Sequence, residues 1–149
     1  MAVMGIPQFE RFFRATAQLD VDKNDLKRYS DFLHDEIHDL LIMGEATAKA
    51  NVRDVIQPED LPITKGLQER IHEFQKFDEE IELQRLLEDL ATRPPLDLTL
   101  AEETEARLPL IAGGLSVALA RSFKIIDTKL VNPSSEHWER AYRLFDLVL

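Results

Sequence analysis

The sequence lacks cysteine altogether and contains only five glycines in 149 residues. Without cysteine, the chain cannot form disulfide bonds, thiolate metal sites or a cysteine nucleophile. So few glycines argue against a glycine-rich loop that cradles phosphates. No apolar run approaches the roughly 20 residues that a membrane-spanning helix needs. We therefore expect no membrane partner.

Basic residues are also scarce, because 18 Lys and Arg stand against 28 Asp and Glu, for a net charge of −10. A chain this acidic repels polyanions unless its cations gather on one face. The first residues, MAVMGIPQFERFF, contain no basic region followed by an apolar stretch, so we expect no secretory signal. Together with the absence of cysteine, this predicts a cytoplasmic protein.

The residues that are present form a helical pattern almost throughout. Good helix formers dominate, and proline, glycine and asparagine mark the breaks between apolar stripes. The apolar stripes follow the spacing of one buried helix face. The predicted helices are, in chain order, about 7–17, 24–51, 62–77, 78–90, 99–127 and 133–148.

This pattern is a short, a long and a short helix, and it occurs twice. The halves are about 1–77 and 78–149, and Pro58 and Pro133 occupy matching places in them. A long helix with one apolar stripe cannot close a core alone, so each triplet needs the other to cover it. The sequence therefore predicts an all-α fold, a single domain over 1–149, in which the two long helices cross.

Two glycines mark the middle of the second long helix. Gly113 and Gly114 each cost about 1 kcal/mol in a helix interior, so their presence needs a reason. A close approach of backbones at the crossing of the two long helices is one explanation, and a kink aided by Pro109 is the other. At the start of this helix, Thr99 and Glu102 have the spacing of a capping box.

The triplets resemble the histone fold, most closely in the first half. The run Arg11, Phe12, Phe13, Arg14 resembles the first histone helix, and ANVRDVIQPEDL resembles the second histone loop and the helix after it. The chain as a whole is similar to a bacterial family that joins two histone folds in one polypeptide, related to archaeal histones. The resemblance implies an intramolecular pseudo-dimer. It also implies a structural ion pair, or clamp, between Arg53 and Asp60, seven residues later.

The resemblance further implies DNA contacts, because histones place basic residues at minor grooves that face the protein. The implied contact residues are Arg11, Arg14, Lys23, Arg53, Arg85, Arg93 and Lys129. This chain departs from the pattern at Asp54 and Val55, where histones usually have a basic residue and a hydroxyl. The alternative is that these cations are solvated or pair with neighbouring acids. An arc of cations free of carboxylates would favour DNA.

Nothing in the sequence indicates an enzyme or a cofactor. His34 and His38 stand four residues apart, a spacing at which two imidazoles can share a metal. The zinc-protease order requires Glu directly after the first His, and here Asp35 stands there. The alternative is that both histidines lie on the polar side, next to aspartates. A metal-dependent enzyme that uses His34 and His38 is a third hypothesis.

The sequence thus predicts a non-enzymatic architectural or interaction protein. One partner is duplex DNA, bound weakly and in a salt-sensitive way. The alternative is an acidic protein–protein adaptor that does not bind DNA. Self-association through the apolar end at Leu147, Val148 and Leu149 is a further hypothesis. No small-molecule substrate is evident from the sequence.

Overall fold

The computed structural model describes residues 3–149, and most of them are helical. A short, a long and a short helix follow one another twice, so the molecule is mostly α-helical. The elements are α1 Ile6–Ala17, α2 Lys23–Ala50, β1 Val55–Ile56, a 3₁₀ helix Pro58–Asp60, α3 Lys65–Phe74, α4 Leu83–Leu90, β2 Thr99–Leu100, α5 Glu102–Ile126 and α6 Ser135–Val148.

Helices α3 and α4 are shorter than the sequence predicts. Helix α3 begins at Lys65 because Pro58–Asp60 forms a separate 3₁₀ turn, and Thr64 caps α3 by accepting from the Leu67 amide. Residues 78–82 lie outside α4, and Gln8 donates to the Glu80 carbonyl at 2.9 Å. This segment is therefore fixed by contacts with α1 and not by helical hydrogen bonds.

The predicted capping box at the start of α5 is wrong. Thr99 belongs to strand β2, and the helix begins at Glu102 with Ala101 as its N-cap. The Ala101 amide and the Thr104 hydroxyl both donate to the Ile56 carbonyl, at 3.0 and 2.7 Å. A partner from the other half therefore replaces the local cap.

The loops of the two triplets pair crosswise. Strand β1 follows the first long helix and pairs in parallel with β2, which precedes the second long helix. At the other end, Asp20, just before α2, donates its amide to the carbonyl of Val131, after α5, at 2.7 Å. The loop after each long helix thus bonds to the loop before the other.

One hydrophobic core contains residues of both triplets. Trp138 of α6 is 1% exposed, and its indole N–H donates to the Asp25 carboxylate of α2 at 2.9 Å. The Tyr29 hydroxyl lies 2.7 Å from Ser116 Oγ, which itself donates to the Ala112 carbonyl at 2.7 Å. Because the serine proton is engaged there, Tyr29 is the donor to Ser116. Buried polar bonds therefore join the halves inside the core.

Gly113 and Gly114 make a close approach, but their partner is α3. A Cβ built on Gly113 would lie 2.1 Å from Phe74 Cδ2, and one on Gly114 would lie 2.9 Å from the Ile71 amide nitrogen. The sequence assigned this approach to the crossing of the two long helices. The structure puts α3 against the glycines instead, because the third helix of the first half packs on the central part of α5.

Helix α5 is long and apolar enough to cross a membrane by length and composition alone. About half of its apolar stretch is buried inside the molecule, including Leu108, Leu115, Leu119 and Phe123. The central helix of a protein core has the same composition. The packing of α5 against both triplets therefore accounts for its hydropathy.

Candidate functional site

Most of the cations implied by the histone resemblance have carboxylate partners. Arg11 forms two hydrogen bonds with Glu79, at 2.7 and 3.1 Å, which raise the pKa of the arginine. Arg93 lies 2.5 Å from Asp35. The other pairs are Arg14 with Asp20 at 3.6 Å, Arg85 with Glu82 at 3.3 Å, and Arg53 with Asp60. Five of the seven predicted contact residues are therefore ion-paired within this chain.

Lys23 and Lys129 complete the set and make no ion pair within residues 3–149. Lys23 is the first residue of α2, directly after Asp22, whose carboxylate caps the helix. The Lys129 amide binds the Asp127 carboxylate at 3.1 Å. A carboxylate therefore lies near each of these lysines. Among the described residues, the seven predicted cations do not form an arc that is free of carboxylates.

The ion pair between Arg53 and Asp60 lies beside the 3₁₀ turn. Asp60 is 3% exposed, and its second oxygen accepts from the Gln57 amide at 2.8 Å. This carboxylate therefore fixes the loop after α2 through a guanidinium and a backbone amide. The role of Arg53 here is structural, because its guanidinium is bonded to a buried acid.

The two histidines of α2 have different surroundings. His34 is 4% exposed, and its Nδ1 lies 2.9 Å from an Asp89 oxygen of α4. Burial lowers the pKa of His34, and the nearby Asp89 charge opposes this shift only in part. His38 is partly buried, and its Nε2 has no hydrogen-bond partner. In the described part of the chain, no three His, Asp or Glu side chains are grouped as metal ligands.

His34 lies in a polar cavity of about 440 Å³ between α2 and α4. We call it the α2–α4 pocket. It brings together His34, a predicted metal candidate, with Lys23 and Arg93, two predicted DNA contacts. Its lining residues are Lys23, Leu26, Lys27, Ser30, Asp31, His34, Asp89, Thr92 and Arg93.

Three polar atoms of residues in this pocket are buried without a hydrogen-bond partner. They are Ser30 Oγ, His34 Nε2 and Asp89 Oδ2. Ser30 is 7% exposed and lies one helical turn before His34, a spacing that is visible in the sequence. No pattern in the sequence predicts a site at Ser30 or Asp89. Asp89 comes from the other half of the chain, so no local pattern connects it to His34.

A second surface feature is apolar and lies at the end of the second triplet. Ile125 is 80% exposed, Leu147 82% and Val148 70%. With Leu144 and Leu149 they form what we call the C-terminal apolar patch. A groove of about 410 Å³ beside it is lined by Leu67, Leu115, Phe145 and Leu149, among others. The three terminal residues singled out from the sequence all belong to this patch.

Solved structures of similar chains cover nearly the whole molecule. A crystal structure from Thermus thermophilus shares 53% identity with this chain, covers 99% of both chains and has a TM-score of 0.94. The crystal structure of protein AQ328 from Aquifex aeolicus shares 29% identity, covers 96% of this chain and 94% of that chain, and has a TM-score of 0.81.

Comparison of sequences also finds relatives that match nearly the whole chain. An uncharacterized protein of Aquifex aeolicus (strain VF5) is 29% identical over 144 residues, which are 97% of this chain and 84% of that protein. The family described as "Domain of unknown function (DUF1931)" matches residues 9–146. Because this match covers almost the entire sequence, the chain belongs to the DUF1931 family.

Proposed function

We propose that this protein is a histone-fold pseudo-dimer that acts as a protein-interaction module rather than as an enzyme. The crosswise pairing of the loops supports the histone-fold part of the proposal. Strand β1 bonds to β2, and the Asp20 amide bonds to the Val131 carbonyl, so the two ends of the molecule are joined in equivalent ways. The short–long–short order of both halves supports it as well.

The pairing of the surface cations argues against a role in DNA packaging. Each phosphate contact contributes to DNA affinity by releasing a counterion, so affinity depends on how many cations are available. Arg11, Arg14 and Arg85 already lie beside carboxylates of this chain. Of the seven predicted contact residues, only Lys23 and Lys129 lack an ion pair among the described residues, and against a net charge of −10 these two contribute too little to hold a duplex. The acidic adaptor is therefore the function that we favour.

The observation that carries the interaction function is the C-terminal apolar patch. Scattered exposed apolar residues are normal, but contiguous ones mark surfaces that bind a partner. Ile125, Val148 and Leu149 line one groove, and Leu144 and Leu147 line a second cavity at the same end of the chain. Covering such side chains removes apolar area from water, which drives association.

Arginines at the edge of the patch indicate the chemistry of the partner. Arg140 and Arg143 line a cavity together with Leu144 and Leu147. Arg140 is paired with Glu136, whereas Arg143 makes no ion pair in the described residues 3–149. An apolar segment flanked by carboxylates would match both the patch and its arginine edge. We propose a partner segment of this kind.

A photo-crosslinking experiment tests this function. A photoreactive amino acid replaces Leu147 in one variant and Val52, an apolar residue that is 94% exposed outside the patch, in the matched control. We expect position 147 to give one predominant protein adduct in the native host, whether with a second copy or another protein. We expect Val52 to give none. Equal adducts at both positions, or none at 147, would contradict the proposal.

A charge in the patch provides the second arm of the test. Ile125→Glu places a carboxylate on a side chain that is 80% exposed, so it should not change the folded structure. We expect it to abolish the adduct at position 147 while the circular dichroism spectrum is unchanged. An adduct that survives this substitution would mean that the partner does not bind through the patch.

A further inference from the structure

A partly enclosed cavity lies between α3 and the first half of α5, and we call it the α3–α5 cavity. Its volume is about 190 Å³, and three of its lining residues, Leu61, Ile71 and Ile111, are buried. None of its described lining residues is Asp or Glu, although the chain carries 28 of them. The cavity is therefore a mainly apolar space without an acid at its edge. Its apolar lining residues are Pro58, Leu61, Ile63, Ile71, Leu110 and Ile111.

Three exposed polar side chains form the rim of this cavity, namely Gln68 and Gln75 on α3 and Arg107 on α5. Gln68 and Gln75 stand seven residues apart, so they lie on the same face of α3 as Ile71. Neither glutamine side chain is hydrogen-bonded to another residue from 3 to 149. Arg107 makes no ion pair within the same range, and Glu103, one turn earlier on α5, lies beyond ion-pair distance. The guanidinium of Arg107 is therefore available to a ligand.

Local contacts hold both walls of the cavity in place. On one side, the Asp60 carboxylate accepts from the Gln57 amide at 2.8 Å and fixes the 3₁₀ turn that begins at Pro58. On the other side, α3 lies so close to α5 that a Cβ on Gly114 would be 2.9 Å from the Ile71 amide nitrogen. A cavity with fixed walls does not have to be ordered when a ligand enters, which lowers the cost of binding.

Size and charge together define the ligand. An apolar cavity of about 150 Å³ can hold a benzene molecule, so the α3–α5 cavity accommodates a phenyl ring or a short branched alkyl group. Among the described lining residues, Arg107 is the only cation. A carboxylate accepts two parallel hydrogen bonds from one guanidinium, and its single charge is balanced by this arginine. A phosphate monoester carries about two charges at neutral pH, and its second charge would lack a cation in this lining.

We propose that the α3–α5 cavity binds a small monocarboxylate with an aromatic or branched aliphatic body. The body lies against Ile71 and Ile111, where its apolar surface leaves water. The carboxylate lies at the rim and accepts from Arg107, and the side-chain amides of Gln68 and Gln75 offer further N–H donors. The cavity shares no lining residue with the groove beside the C-terminal apolar patch, so this proposal does not depend on the proposed interaction function.

Nuclear magnetic resonance of the isoleucine methyl groups tests the proposal with the whole protein. Phenylacetate and isovalerate are the probes, phenylacetamide is the control without the charge, and acetate is the control without the body. The Ile111→Val variant assigns the Ile111 methyl signals. We expect both probes to shift these signals saturably at neutral pH, while the signals of Ile125, in the C-terminal apolar patch, do not move. Phenylacetamide should bind about tenfold more weakly than phenylacetate, and acetate should cause no saturable shift.

Two substitutions at the rim locate the carboxylate of the ligand. Arg107→Gln removes the positive charge, and Gln75→Glu adds a carboxylate that competes for Arg107. We expect each to raise the Kd of phenylacetate about tenfold. Arg143→Gln is the matched control, because this arginine also lacks an ion pair among residues 3–149 but lies outside the cavity, and it should leave the Kd unchanged. All three positions are exposed, so we expect each variant to show unchanged thermal unfolding.

Three results would overturn the proposal. The first is that neither acid shifts the Ile111 methyl signals saturably up to about 10 mM, which is well above a millimolar Kd. The second is that phenylacetamide binds as tightly as phenylacetate, which would remove the role of the carboxylate. The third is that Arg107→Gln and Gln75→Glu bind phenylacetate as tightly as the wild type, which would mean that the acid binds elsewhere.

Discussion

Gly114 of α5 faces the backbone of Ile71 in α3, and a Cβ on this glycine would lie 2.9 Å from the Ile71 amide nitrogen and 3.1 Å from its Cα. A side chain can rotate out of such a contact, but a backbone in the middle of a helix cannot. The two helices can therefore pack at this distance only because residue 114 has no side chain. This contact joins the third helix of the first triplet to the long helix of the second.

We expect Gly114→Ala to destabilise the fold by about 1–3 kcal/mol, the usual cost of overpacking a core. This cost should exceed the gain of about 1 kcal/mol that alanine brings to a helix interior. Gly66→Ala is the matched control, since a Cβ there meets no heavy atom within 4 Å, and it should stabilise the fold slightly. Urea unfolding of both variants measures the difference. Equal stabilisation by both substitutions would mean that the helices are not held this closely.

The Arg53–Asp60 ion pair should matter far more than an exposed one. Asp60→Ala leaves the Arg53 guanidinium and the Gln57 amide without their acceptor, so we expect a loss of about 2–4 kcal/mol in the free energy of unfolding. Asp20→Ala removes the exposed partner of Arg14 and should cost less than about 0.5 kcal/mol. Urea denaturation of the two variants tests this, and similar losses would refute a special role of the buried acid.

Glu36 should make the fold less stable as the pH rises. It is 7% exposed, and burial, with the charges of Asp39, Asp146 and Asp35, raises its pKa to about 7. In the unfolded chain the pKa of a glutamate is about 4.3. Between about pH 4.3 and pH 7, Glu36 is therefore protonated in the folded state and ionised in the unfolded chain. Stability from this group is present below about pH 4.3 and is lost as the pH rises through about 7.

Glu36→Gln should remove this loss. We expect the variant to be more stable than the wild type by about 1–3 kcal/mol at about pH 8 and to differ little at about pH 4. The exposed Glu139→Gln serves as control and should show no such pH dependence. Chemical denaturation across this pH range provides the measurement. A constant difference between wild type and Glu36→Gln at all pH values would contradict the assigned pKa.

Val52 occupies a backbone conformation that disfavours its side chain. Its φ is 59°, and its side chain is 94% exposed, so no packing compensates for the strain of a β-branched residue there. We expect Val52→Asn to stabilise the fold by about 1 kcal/mol, because asparagine tolerates this region. Val131→Asn, on an exposed valine with ordinary backbone geometry, should change thermal stability by no more than about 0.5 kcal/mol. Equal effects would exclude backbone strain as the cause.

Local patterns predicted the two long helices to within a few residues, because aspartate or asparagine caps three of their four ends, at Asp22, Asn51 and Asp127. The errors lie where a distant partner replaces a local one. Thr99 became part of a strand because Ile56, from the other half, accepts the hydrogen bonds that begin α5. Residues 78–82 left the helix because Gln8 and Arg11 bind Glu80 and Glu79.

The candidate sites follow the same rule. The sequence shows Arg53 and Asp60 seven residues apart, and it shows three consecutive apolar residues at the end of α6. Both features are local, so they could be predicted. The α2–α4 pocket needs Asp89 beside His34, and this contact joins the two halves of the chain. The carboxylates beside Arg11 and Arg93 also come from the opposite half. No single segment contains that information.

Binding of duplex DNA, titrated against salt, tests the central claim that this chain is an acidic interaction module. A fluorescently labelled duplex is mixed with the wild-type protein at about 50 mM salt, where phosphate contacts are strong. We expect no saturable change in anisotropy up to roughly 10⁻⁴ M protein, the weak end of ordinary non-specific binding. Micromolar binding that weakens steeply between about 50 and 200 mM salt would contradict the account.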